Sequence, residues 1–412
     1  MTSVDAAGPP PPPPPPVLRQ RPVRAGERWI YSAGFNVPRG LPDTSRIDTE
    51  LADIEYLAAA GASVAVLSHR GRAGDGSAGG LEDIAAHMGA ELGRPVGYFS
   101  ENASEAAAAA ASAQRPGDIT VFGNTRHHDG EARNDPALAR AFSRLGEFVA
   151  VGGFSKAHRR HASNVGILSF RPGWAAGSLS DECSLLAPWS GRTPGLRSLA
   201  VLGGVKPEKT LVGLPCFAAD YDIVVPGGVV LNHLLRAIGY DVGDSLLGEQ
   251  PEDCAAMTQR VLRESSSRVH IPQRVVVARR CAGAYRDAQE IDIADGVPAG
   301  FGIVDFHCEP WLEACLAEMA EAGGRLVVAG TPSLYTQGFG SSCVPLLEAA
   351  SQAGVTSVLM GGDTVSELPF AGVTSTGGGA ALHFLRYQDL PVLEALRQAH
   401  SPLADRAPSV DA

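Results

Sequence analysis

The sequence has seven cysteines but no C-x-x-C pair, and none of the seven stands with histidine at metal-ligand spacing. Those absences exclude a disulfide framework and a structural zinc site, and they predict reduced thiols used for packing in a cytoplasmic protein. No apolar run approaches the length of a membrane-crossing helix, and the N-terminus lacks the basic-then-apolar order of a signal peptide, so no membrane partner is expected. Positive charge is also short. Thirty-four Lys+Arg against 45 Asp+Glu give a formal net charge of −11, which argues against non-specific nucleic-acid binding. The phosphate-binding pattern G-x-x-x-x-G-K-[ST] is missing, and no Ser-His-Asp arrangement can be argued.

What is present is length and alternation. With 412 residues, 44% of them hydrophobic, the chain exceeds what one core supports, so two domains are expected. Residues 1–26 carry eight consecutive prolines, Pro9 to Pro16, then Arg19, Arg21 and Arg24. They read as an extended or disordered tail, because the proline run has no backbone donors. From Trp29 on, apolar runs of strand length alternate with helix-period segments, the pattern of parallel sheets covered by helices. The runs W-I-Y-S-A-G-F, S-V-A-V-L and D-I-T-V-F supply the first half; S-L-A-V-L, D-I-V-V, R-V-V-V-A, R-L-V-V-A and T-S-V-L-M supply the second. Asn102 with Glu105 reads as a capping box for the alanine run 106–111. Proline, glycine and serine between Gly173 and Leu199 mark a connector.

Basic residues cluster where strands end. Val149 to Gly166 is an apolar run that breaks at glycines and then releases Lys156, His158, Arg159, Arg160 and His161. Arg46, then His69 with Arg72, then Arg126 leave other strand ends. Together they predict one cationic pocket at the rim of a parallel sheet, where open α/β sheets bind ligands. The second half ends its strands in glycine instead: Gly203 and Gly204 before Lys206 and Lys209, Gly227 and Gly228, Gly361 and Gly362 before Asp363 and Thr364, and S-T-G-G-G-A at 375–380. Glycine turns let backbone N–H groups approach phosphate oxygens, lysines neutralise a transferring phosphoryl group, and an aspartate can hold Mg²⁺. The two halves predict an anionic acceptor on one domain, a nucleotide on the other, and phosphoryl transfer on closure. An acceptor carboxylate needs no general base, being ionised at neutral pH.

In order and spacing, F-N-V-P at 35–38, S-H-R-G-R at 68–72, N-T-R-H-H-D-G-E-A-R-N-D at 124–135, F-S-K-A-H-R-R-H-A-S at 154–163, L-G-G-V-K at 202–206, G-G-D-T and S-T-G-G-G-A resemble the motifs of the phosphoglycerate kinase family, from about Trp29 to about Leu396. The resemblance implies an α/β fold of two Rossmann-like parallel-sheet domains joined by a hinge. It divides the chain into a tail (1–26), an acceptor domain (27–177), a hinge helix and connector (178–198), a nucleotide domain (199–385) and a C-terminal segment (386–412) that packs back on the first domain and ends disordered. It implies ATP and Mg²⁺ as cofactors, a small anionic carboxylic acid as acceptor, and a monomer. Asn36, Arg46, His69, Arg72, Arg126, His158 and Arg159 become the acceptor set, with Arg46 also steadying the transferring group. Gly203, Gly204, Lys206, Lys209, Gly227, Gly228, Thr331, Gly361, Gly362, Asp363 and Thr364 become the nucleotide and catalytic set, with Asp363 on the metal.

Departures from the family pattern point to an altered acceptor. Where the family has Arg-x-Asp before F-N-V-P, this chain has Ser32-Ala33-Gly34, and the aspartate before the Phe of the basic motif is Gly152. The first of those aspartates helps hold the hydroxy acid, so the acceptor is expected to lack the glycerate hydroxyl or to fill its place with a larger group. The cations are kept, which implies a phosphate, phosphonate or similar dianion. In the second half the two lysines are three apart instead of four, W-N-G-P-x-G-x-F-E is replaced by Val328 to Thr336, and D-I-G-P is replaced by Asp305 to Cys308. Three readings follow: a carboxylate kinase with a changed acceptor in a specialised pathway, an ordinary phosphoglycerate kinase, and a non-catalytic binding homologue.

Overall fold

The computed structural model describes residues 13–265 and 267–400, and the chain forms two compact units, 13–185 with 389–400, and 186–388. The expected disorder at the C-terminal end falls on 401–412, which with Pro9 to Pro12, half of the proline run, lie outside the described residues.

The first unit is built on six parallel strands: β1 (Arg28–Ser32), β2 (Ser63–Ser68), β3 (Val96–Phe99), β4 (Ile119–Asn124), β5 (Phe148–Val151) and β6 (Gly173–Ala175), in the order β3-β4-β2-β1-β5-β6. β1 is central, with Ile30 opposite Ala65 on one side and Val149 on the other. Trp29, Ile30 and Tyr31 are fully buried, as expected of a parallel strand covered on both faces. From β1 the chain moves one way to β2; from β5 it moves the other way to β6. The crevice past the C-terminal ends of β1 and β5 is therefore a topological switch point, where such sheets bind ligands.

Residues 13–26, grouped with the tail in the sequence reading, pack on this unit. Val17 bridges to Ala175, Leu18 is fully buried, and Arg21 pairs with Glu27 while its guanidinium lies over Trp29, Phe148 and Trp174. Helix Pro391–His400 belongs to the same unit: Val392 N–H donates to Ala157 O, and Arg160 pairs with Glu394 at 2.6 Å. The alanine-rich helix Glu105–Ser112 forms, but its N-cap is Ser104, whose hydroxyl accepts from Ala107 N–H. Asn102 bonds the His128 ring instead, so the expected capping box does not form and a simple N-cap stands two residues later.

The second unit begins with β7 (Ser198–Leu202), β8 (Ile223–Pro226) and β9 (Arg268–Val269), continues through β10 (Arg274–Cys281), β11 (Ala284–Asp292) and β12 (Phe301–Phe306), and closes with β13 (Arg325–Ala329), β14 (Thr356–Met360) and β15 (Val373–Ser375). Six are parallel in the order β15-β14-β13-β7-β8-β9. The run R-V-V-V-A, expected among them, lies in β10 at the centre of a separate antiparallel sheet, β11-β10-β12. Val275 and Val277 pack on the same core as the parallel strands while Val276 and Ala278 face a small cluster with Val304, so a run buried on both faces could not be told from a parallel strand by composition alone. All seven cysteines are free thiols, and no described helix is long and apolar enough to cross a membrane.

Candidate functional site

The strand ends of the first unit bring most of the sequence-predicted cations together. Arg46, half-buried at the start of helix Ser45–Ala59, donates through Nη1 to Asn36 O at 3.2 Å. Asn36 Oδ1 accepts Gly71 N–H at 3.0 Å, which ties the exit of β1 to the exit of β2. His69 is buried at that second exit. Arg126 leaves β4 with its backbone N–H on Asn124 Oδ1 at 2.9 Å; its Nε is buried without a hydrogen-bond partner. A buried guanidinium N–H left open beside other cations is a donor that an anion would satisfy.

The electrostatics report the same convergence. Burial holds His69 well below the usual imidazole range, and Arg126, Lys156, His161 and Arg159 add to the effect. Burial and then Arg126, Arg159, Lys156 and His158 push His161 down to about 3. These rings are neutral at neutral pH because the pocket is already positive. Arg159 and His158 sit on the basic turn after β5, with Arg159 Nε donating to His158 Nε2 at 3.3 Å. Arg72 is the outlier. It is exposed on the β2 turn, where its backbone N–H donates to Ser77 Oγ. Arg70 is structural, buried and spent on Val37 O, Gly80 O and Asp83.

Beneath the pocket lie Lys156, already read among the basic residues of this turn, and two groups that sequence reasoning missed, Glu50 and Glu131. Lys156 is buried, and its Nζ donates to Ser32 Oγ at 2.5 Å. Glu50, buried on helix Ser45–Ala59, accepts Gly34 N–H through Oε1 at 2.9 Å. Glu131 accepts Ser163 Oγ at 2.6 Å, Ser163 N–H at 3.1 Å and Thr125 Oγ1 at 3.3 Å, joining the β4 exit to the basic turn. Burial raises Glu50 and Glu131 and lowers Lys156. Gly34 and Gly153 meet backbone to backbone: a Cβ on Gly34 would lie 2.7 Å from Gly153 Cα. No side chain from position 34 can enter the pocket in this packing.

In the second unit the glycines are used on one another. A Cβ on Gly203 would lie 2.5 Å from Pro332 Cα, one on Gly227 would overlap Pro332, and one on Gly330 would overlap Gly203 O. Gly228, at φ +52°, approaches Gly204, and its N–H donates to Pro332 O at 2.8 Å. The exits of β7, β8 and β13 thus interlock around a recess lined by Val229, Leu231, Leu246, Ile303, Phe306 and Leu334. Thr331 lies on its wall and donates its hydroxyl to Glu367. Lys209, in the π-helical turn Lys209–Gly213, is buried with its Cε near Gly330, and burial pushes it down to about 8. Lys206 is exposed and pairs with Asp363 at 3.0 Å. Gly361, at φ +108°, turns the chain into helix Gly362–Glu367, which carries Asp363 and the buried Thr364. Asp363 offers a single exposed carboxylate, which fits a Mg²⁺ carried in on phosphates and not one caged by protein oxygens.

A sheet that collects arginines at its switch point, and another that collects glycines and two lysines at its own, is the layout of a phosphoryl-transfer protein with separate anion and nucleotide sites. Comparison with known proteins gives the family. The family model described as "Phosphoglycerate kinase" matches residues 24–388. Curated relatives named phosphoglycerate kinase include one from Zymomonas mobilis, 33% identical over 390 residues (90% of this chain, 96% of the relative), and one from Thermosipho africanus, 29% identical over 388 residues (90% and 95%). Solved phosphoglycerate kinases share the fold: that of Coxiella burnetii at TM-score 0.74 and 24% identity (94% of this chain, 100% of that one), and that of Pyrococcus horikoshii at 0.75 and 22% (93% and 98%). The chain belongs to the phosphoglycerate kinase family.

Proposed function

We propose that the chain transfers the γ-phosphoryl group of ATP to the carboxylate of a small phosphorylated or phosphonylated acid, giving an acyl phosphate. A carboxylate oxygen attacks the γ-phosphorus, the bond from that phosphorus to the β,γ-bridging oxygen breaks, and ADP leaves with the electron pair. No proton has to be moved. The work is positioning and charge stabilisation. Arg126 and Arg159 would hold the acceptor's dianionic end, Asn36 and Arg46 its carboxylate end, and Arg46 would also meet the charge that develops in flight. Lys206 and Lys209 would neutralise the phosphates, and the N–H groups at Gly361 and Gly362 would donate to the leaving oxygens. Mg²⁺ on Asp363 would supply further charge neutralisation.

The observation that carries the altered acceptor is the closure of Gly34 on Gly153. It leaves no carboxylate from β1 to bind a hydroxyl beside the acceptor carboxylate, and a site without that partner loses its discrimination for the hydroxy acid. The shared name of the curated relatives favours a second reading, ordinary 3-phosphoglycerate kinase activity. One experiment separates them. The protein is incubated with Mg-ATP, hydroxylamine and a panel of phosphorylated and phosphonylated acids, and hydroxamate and ADP are measured. Faster turnover of acids without the glycerate hydroxyl is expected. Preference for 3-phosphoglycerate would establish the second reading, and silence with every acid would refute both.

A further inference from the structure

The chain contains three lysines among its 34 Lys+Arg. Lys206 and Lys209 stand at the glycine exits of the second unit; the third, Lys156, is buried under the cationic pocket of the first. An arginine there would stay charged and would bring five donors in a rigid fork, whereas an ammonium is compact and loses its proton readily when buried. Lysine is thus the basic residue that lets this spot be discharged.

Its surroundings give the spot a role. Lys156 runs along Gly153, where a Cβ would lie 2.9 Å from its Cε, and ends on Ser32 Oγ. Glu50 Oε2 occupies the space that a Cβ on Gly152 would enter, beside the Tyr31 hydroxyl. Ser32 and Gly152 are the positions where the family pattern carries an arginine and an aspartate. Both charges are therefore present in space but arrive from other elements, the cation from the β5 exit and the carboxylate from helix Ser45–Ala59. We infer that Lys156 and Glu50 are a transposed pair of opposite buried charges, not in salt-bridge contact, that positions the floor of the acceptor pocket, and that protonation of this pair sets how tightly the pocket holds a dianion. The inference rests on reading this pocket as the acceptor site.

The charged neighbours fix the sign. Lys156 is faced by Glu50, by Glu131 from the turn after β4 and by Arg126 from the β4 exit. Glu50 is faced by Lys156, by the Gly34 N–H, by Tyr31 and by Asp53, which is itself held by Ser178 N–H and Arg19. Burial raises the carboxyl and lowers the ammonium, so both titrations move toward neutral pH. As pH rises, Glu50 gains a negative charge and Lys156 loses a positive one. Each step makes the floor less positive and weakens anion binding.

Inorganic sulfate, which stays a dianion throughout, is the probe. Its dissociation constant on the full chain is measured by calorimetry from about pH 6 to about pH 8.5, and the part lost in Arg126→Met is counted as pocket binding. Binding should weaken at least about tenfold across that range in the wild type, the equivalent of one pKa unit of differential interaction. Lys156→Met/Glu50→Gln should be nearly flat. The double variant removes both charges together, so it avoids the unpaired buried carboxylate that can stop Lys156→Met from folding. A flat wild-type profile, or a double variant that keeps the wild-type slope, overturns the inference. Sulfate binding unchanged in Arg126→Met overturns it together with the acceptor-pocket reading. pH-dependent sulfate binding in a chain that turns over no acid refutes the proposed reaction and leaves the role of Lys156 and Glu50 standing.

Discussion

A Cβ placed on Gly34 would lie 2.7 Å from the Cα of Gly153, and a Cβ on Gly153 would lie 2.7 Å from the Cα of Gly34. Two strand exits at the switch point are therefore closed on each other at backbone distance, with Gly153 held at φ +67°. Restoring an acid at this point should not restore a hydroxyl-binding site. Gly34→Asp must push the two backbones apart and sets a second carboxylate beside Glu50, whose Oε1 would lie 3.2 Å from the new Cβ. Overpacking of this kind costs about 1–3 kcal/mol, and the like charge adds to it. Chemical denaturation should show a loss of at least about 2 kcal/mol. Wild-type stability together with improved use of 3-phosphoglycerate would mean that the floor opens freely, contrary to the packing described.

Arg46 makes a single hydrogen bond, to the Asn36 carbonyl, and is half-buried, so its guanidinium keeps donors for a ligand. Acting on the charge that develops during transfer, it should matter more to the transition state than to bound acceptor. For Arg46→Ala, kcat should fall about 100-fold or more while the acceptor KM moves less than about threefold, as when a single transition-state donor is removed. Steady-state kinetics on the best acid of the panel gives the split. A large rise in KM at unchanged kcat would reassign Arg46 to ground-state binding.

The neutral buried histidines tie stability to pH. His69 and His161 bind protons near pH 6.5 when unfolded, but burial among cations depresses both in the native state, His161 to about 3. Below about pH 6.5 the unfolded chain binds more protons, so their contribution is complete above that value and is lost as pH falls toward the native values. Glu50 and Glu131, raised by burial, pull the opposite way over the acid range. The histidine effect is isolated by comparing wild type with His161→Gln. The stability difference between them should change between about pH 7 and about pH 5, with the wild type losing more on acidification. A pH-independent difference would show that His161 keeps its unfolded affinity for a proton in the fold.

The sequence made the parallel sheets legible because β1, β2, β4 and β5 are short apolar runs that end in breakers, and a buried parallel strand has no other way to look. His69 and Arg126 were legible for the same reason, since a strand end fixes where the next side chain can go; Arg46, read as another strand-end residue, stands instead at the start of helix Ser45–Ala59. β11 was hidden: A-Y-R-D-A-Q-E-I-D is mostly exposed and has no apolar alternation, so its pairing with β10 leaves no periodic mark. The bond from Lys156 to Ser32 spans 124 positions, and Glu50 lies on the apolar face of its helix with Ile47, Leu51 and Ile54, where Gly34 and Gly152 leave room for it. Gly203 and Gly227 were read as space for phosphate. Their missing Cβ atoms are also needed for the loops to pack on each other, a demand that only the folded chain displays.

Lys209 offers a test of the second site that does not depend on turnover. The π-helical turn at Lys209–Gly213 draws its side chain across the exits at Gly204 and Gly330, and burial pushes it down to about 8. A triphosphate settling on those exits would place negative charge beside the amine and raise its affinity for a proton. Above about pH 8 part of the free protein has lost that proton, so nucleotide binding should draw one from solution. Calorimetric titration with Mg-ATP at about pH 8.5, in buffers of different ionisation enthalpy, should therefore show net proton uptake, which fades toward pH 7 where Lys209 is already charged. Lys209→Met should abolish the uptake and weaken binding about tenfold, roughly the value of one lost charge-assisted contact. If the uptake persists in that variant, the titrating group lies elsewhere and Lys209 does not reach the phosphates. The exposed Lys206, paired with Asp363, would then be the lysine that neutralises them.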